Sequence, residues 1–84
     1  MPNVTALAKY LDHTKLYNTV ITIPFHEIED ILGKELPLAA RTNQKWWTND
    51  TEKAHEIAAA WIKAGWKIDK VNFKDEFVTL ETSD

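Results

Sequence analysis

The side chains able to do covalent or acid–base chemistry are few and poorly placed for it. Cysteine is absent, the one serine is Ser83, at an expected frayed tail, and the three histidines are His13, His26 and His55. A nucleophile needs a base within hydrogen-bond reach, and a zinc site needs ligands converging on one point. The histidines fall on three different predicted helices with no spaced ligand partner. In His26-Glu27 and His55-Glu56 the two side chains are adjacent, and neighbours on a helix diverge by about 100°. Glu27, Glu29 and Asp30 crowd into an early helical turn, where they read as a solvated face that the helix dipole favours. The expectation is no enzymatic activity, no cofactor and no metal.

Recognition chemistry is better represented. Four tryptophans, Trp46, Trp47, Trp61 and Trp66, are a heavy load for 84 residues. Trp46 and Trp47 are consecutive, so neither a helix nor a strand points both at one wall. One should join Trp61 and Trp66 in the core and the other should reach solvent, unless a sandwiched helix buries both. Around them stand Arg41 and Lys45, at i and i+4, and the amides of Asn43, Gln44 and Asn49. Cations for phosphate, amides for base edges and an indole for stacking make a nucleic-acid surface. The same residues make a protein-binding hot spot, because tryptophan and arginine dominate such sites.

Charge divides the chain. The net charge is −3, yet residues 41–74 hold seven of the ten basic groups, among them Lys67, Lys70 and Lys74, against Asp50, Glu52, Glu56 and Asp69. A basic face on an acidic molecule is therefore open. With no cysteine, no leader-like N-terminus and no apolar run approaching the ~18 residues of a membrane span, the expected setting is the cytoplasm, away from membranes.

The elements that must position these groups follow from periodicity and punctuation. Asn3 caps a first helix over about residues 4–15, with Val4, Leu7 and Leu11 on one stripe and Tyr10 and Leu16 close to it. "NTVITI" reads as a short strand stopped by Pro24. "FHEIEDIL" spaces Phe25, Ile28, Ile31 and Leu32 as an amphipathic helix ended by Gly33. Pro37 suits the first turn of a third helix, "PLAARTNQKWW". Asp50 or Thr51 caps a fourth, with Ala54, Ile57, Ala58, Trp61 and Ile62 as its apolar face before Gly65. In "WKIDKVNFKDEFVTLE" the inward phase switches between Ile68 and Val71, predicting a bulge near Asp69-Lys70, then a turn at "KDE" and a last strand facing in with Val78 and Leu80. The 84 residues make one domain.

"FHEIEDILGKELPLAAR", "WWTN" and "AWIKAGWKIDKV" together resemble a family of small uncharacterised bacterial and phage domains with the pattern FxEIExILGxxLPxxAR, WWxN, AWxxAGW. The likeness runs from about Tyr10 to Leu80. Pro24 departs from it, standing where Ser or Thr commonly precedes the phenylalanine, so the hydroxyl cap of the second helix is missing. Arg41, Trp46, Trp47 and Asn49 match the polar and aromatic signature. The resemblance implies nuclease, restriction or defence settings and points toward nucleic acid.

The expected fold is α+β and winged-helix-like: about four helices with a small three-stranded antiparallel sheet ending in a C-terminal β-hairpin. The expected function is a non-enzymatic DNA-binding module, on duplex DNA, with Arg41, Asn43, Gln44 and Lys45 on the third helix and Lys67, Lys70 and Lys74 near the hairpin. The alternative is a protein-binding module, such as a phage-encoded inhibitor of a host defence enzyme of the anti-restriction or anti-CRISPR type, using the exposed tryptophan. The sequence does not specify an oligomeric state.

Overall fold

Asn3 starts the fold as expected: its Oδ1 accepts the N–H of Ala6 at 3.1 Å, one of the donors a helix leaves unpaired at its first turn. The computed structural model describes residues 3–82, so Ser83 lies outside the described residues. Helix α1 (Val4–Thr14) buries Leu7 and Leu11. It stops before Leu16, which does not join the apolar stripe but stands 72% exposed. Strand β1 (Val20–Pro24) turns Ile21 and Ile23 inward. Helix α2 (Phe25–Leu32) has no side-chain cap, consistent with Pro24 at that position. Its first N–H finds an acceptor elsewhere, Phe25 donating to the Glu76 carbonyl at 2.8 Å. Gly33, at φ +71, closes the helix in the left-handed region that glycine adopts without strain.

The third predicted helix is broken in two. Helix α3 covers only Leu38–Thr42, Asn43 is extended (φ −124, ψ 112), and Gln44–Trp46 make a 3₁₀ turn. The cause is local competition. The Asn43 side chain accepts the N–H of Lys45 at 2.9 Å, offering the backbone an alternative to the helix. The break frees Trp47 to fold back, and its Nε1–H takes the Ala40 carbonyl at 2.8 Å.

Helix α4 (Glu56–Lys63) also begins later than expected, and its cap is neither Asp50 nor Thr51. Asp50 Oδ1 accepts the N–H of Glu52, closing a separate turn, and His55 caps the helix by accepting the N–H of Ala58 at 3.0 Å. Ala54 therefore precedes the helix, while Ile57, Ala58, Ala60 and Trp61 are buried.

Strands β2 (Trp66–Asn72) and β3 (Phe77–Thr82) form the C-terminal hairpin, and the antiparallel order is β1-β3-β2. The register slips between Ile68 and Lys70, where the change of phase predicted a bulge. Ile21, Ile23, Trp66, Ile68, Val78 and Leu80 meet Leu7, Leu11, Phe25, Ile28, Trp47 and Trp61 in one core. The described residues thus make an α+β fold of four α-helices and a three-stranded sheet, with α4 directly ahead of the hairpin as the sequence order predicts.

Candidate functional site

The consecutive indoles divide as their geometry requires. Trp47 is 4% exposed and stacks between Phe25 (centroids 5.2 Å, 15°) and Trp61 (5.6 Å, 17°). Trp46 is half-buried, edge-on to Trp47 at 4.7 Å and 4.2 Å from the ring of His55. The three buried indoles each donate to a main-chain carbonyl, Trp47 to Ala40, Trp61 to Thr48 and Trp66 to Leu11, as buried tryptophan must to avoid an unpaired donor. His55 completes the cluster. Its Nδ1 accepts from Ala58, so the Nε2 that lies 2.9 Å from the Trp46 carbonyl is the donor.

The polar candidates are largely engaged within the fold. Arg41 donates to Glu29 at 2.8 Å and to Glu76, with its guanidinium 5.7 Å from the Phe25 centroid. The same Glu29 oxygen accepts the N–H of Leu36 at 2.7 Å. Burial raises the Glu29 carboxyl, but the Arg41 and Leu36 hydrogen bonds outweigh it and hold the group below the ordinary glutamate value. Arg41 is raised, chiefly by its bond to Glu29. This relay ties the hairpin turn, where Lys74 lies, to α2 and α3. Asn49 pairs with one residue twice, its Oδ1 accepting from Ile68 N–H at 2.7 Å and its Nδ2 donating to the Ile68 carbonyl at 3.1 Å. Asn43 holds the 3₁₀ turn, and Lys67 lies 3.5 Å from Glu81. Gln44, Lys45, Lys70 and Lys74 are exposed. The ten candidates are therefore not one continuous surface: Trp46 and Trp47 touch, Arg41 reaches the hairpin turn, and Asn49 reaches β2.

Among the described residues no three His, Cys, Asp or Glu side chains gather where they could hold a metal ion, and no helix is long and apolar enough to cross a membrane.

A different surface went unmarked in the sequence. From the turn after α1 to the first residue of β1, Leu16 is 72%, Tyr17 75% and Val20 55% exposed. Tyr17 lies edge-on to His13 at 5.6 Å, and Tyr10 is exposed one turn earlier on α1. "KLYNTV" carries a signal for it, three large apolar residues set among polar ones just past a helix end, but Leu16 fits the helical stripe equally well on paper. Beside this patch runs the outer edge of β1. Thr82 N–H donates to Thr19 and Phe25 N–H to Glu76. By the alternation of an antiparallel ladder, Ile21 and Ile23 then turn their main-chain groups toward β3, and Val20 and Thr22 turn theirs outward. Among the described residues nothing takes up those outward groups. On the opposite edge, the main-chain groups of Ile68 on β2 are taken up by Asn49.

The chain belongs to the family described as Domain of unknown function (DUF7662), whose model matches residues 5–83. No curated protein and no solved structure matches it.

Proposed function

We propose that this family member is a non-catalytic protein-interaction module whose contact surface is Leu16, Tyr17 and Val20 beside the outer edge of β1. The observation that carries the reading is that Leu16, Tyr17 and Val20, three of the five exposed large apolar residues among those described, fall within five positions of one another, with Tyr10 one turn back on α1 and only Leu38 standing apart in the sequence. Contiguous apolar surface of this kind marks interaction sites, and tyrosine is a favoured anchor. Of the two indoles that could have been the anchor, Trp47 is in the core and Trp46 is half-buried against His55. Arg41 and Asn49 are poor candidates for contacting a ligand, because releasing either breaks bonds worth about 1 kcal/mol each, more for the charged pair.

A second reading, DNA binding, is supported by the winged-helix-like element order and by the exposed Lys45, Lys70 and Lys74. On that reading the contacts are to phosphate, because the amides of Asn43 and Asn49 are already engaged, and affinity falls steeply with salt.

A photo-crosslinking residue at position 17, with position 53 as control, tests the first reading in cells. Protein adducts at 17 and none at 53 are expected; no adduct at 17, or equal yields at both, overturns it. Fluorescence anisotropy on duplex DNA at low salt tests the second, with binding that weakens for Lys70→Ala and Lys74→Ala as the outcome in its favour.

A further inference from the structure

We infer that the outer edge of β1 is the seat of a second copy of this chain, the two β1 strands pairing antiparallel about Ile21. This rests on the reading of the Leu16–Val20 surface as an interaction site and names its occupant.

Four observations select the occupant. Val20 and Thr22 present two outward N–H groups and two outward carbonyls. With Ile21 on a two-fold axis, Val20 faces Thr22 of the partner subunit and Thr22 faces Val20 of the partner subunit, so all of these groups are taken up in four reciprocal bonds. Shifting the axis to Val20 or to Thr22 leaves one of those carbonyls unpaired in each copy. Second, this register sets Asn18 opposite Pro24 of the partner subunit. Asn18 already donates its N–H to Thr14 at 3.1 Å and proline has none, so the ladder ends where no free donor remains. Third, VITIP carries no charge, whereas exposed edges are ordinarily protected by charged side chains. Two copies thus approach without like charges facing across the strand, which a net charge of −3 would otherwise disfavour. Fourth, Val20, 55% exposed on this edge, lies opposite Thr22 of the partner subunit in this register, so its exposed side chain gains a neighbour on both copies. One short strand pair with four main-chain bonds makes a small contact, and the dimer is accordingly weak and concentration-dependent.

Sedimentation equilibrium of the full chain between about 10 µM and 1 mM, a range suited to weak interfaces, should show a monomer–dimer equilibrium. Val20→Lys places a charge on an exposed edge position and should weaken it at least about tenfold. Amide exchange on the wild type supplies an independent readout: the Val20 and Thr22 amides should gain protection as concentration rises, while Ile21 and Ile23, bonded to β3, stay protected throughout. A wild type that remains monomeric, a dimer indifferent to Val20→Lys with the variant folded, or Val20 and Thr22 amides whose exchange is independent of concentration would each overturn the pairing. The crosslinking experiment separates the two claims. Adducts at position 17 to a different protein from a monomeric chain reject the second copy and leave the interaction reading standing; no adduct to any protein rejects that reading as well.

Discussion

Trp46 and Trp47 show what a single residue's chemistry decides. That consecutive indoles must part company was legible from backbone geometry, as was the core placement of Trp61 and Trp66. Which of the pair goes inward was not, because it depends on the break at Asn43 that lets Trp47 reach the Ala40 carbonyl. Trp47→Ala removes a stacked ring and leaves that carbonyl without its donor, at a cost of about 3 to 5 kcal/mol. Trp46→Ala loses packing on one side only and should cost about half as much or less. Urea titrations of the two variants check the ranking, and equal costs would contradict the division of roles. Asn49 was legible as important, but its contact within the fold was not. It matched the motif and carried an amide suited to a base edge, but that amide pairs with Ile68, a contact 19 residues away that no local pattern announces.

Elements bounded by strong punctuation were readable. Gly33, Gly65, Pro24 and the 3.6-residue spacing set α1, α2 and the end of α4, and the switch of inward phase marked the β2 bulge. The stretch between α3 and α4 was not, because Asn43, Asp50 and His55 each bond a nearby N–H and those small terms decide where a helix starts. His55, weighed in the sequence only as a ligand or base, caps α4 and lies against Trp46. His55→Ala should therefore cost about 1 to 2 kcal/mol, with His55→Asn recovering part of it, since asparagine supplies a cap acceptor but no ring. Thermal unfolding of the three proteins measures this. Full recovery by asparagine would show that the ring against Trp46 contributes nothing.

At the scale of the whole molecule, Arg41 ties α2, α3 and the hairpin together through Glu29 and Glu76. Glu29 titrates lower in the folded chain than in the unfolded one. Its contribution is thus fully present above the ordinary glutamate value of about 4.3 and is lost as pH falls through the lower folded value. Urea midpoints measured from neutral pH to pH 2 should fall less steeply on the acid side for Glu29→Gln than for wild type, from a lower starting stability. Parallel curves would remove the relay from the account of acid unfolding. The order of elements and the α+β class were legible from the sequence. The surface was not, because exposure at Leu16, Tyr17 and Val20 depends on where α1 stops and on which strand lies at the margin of the sheet.

Asn49 also limits how large an assembly could become. If β1 pairs with a second copy as proposed, a tile with one adhesive side yields pairs and nothing larger, and the amide laid along Ile68 occupies the middle of the other side. Asn49→Ala at a temperature well below its melting point should give light scattering that grows with time and protein concentration, as tiles adhesive on both margins add end to end, and Val20→Lys in the same chain should suppress it.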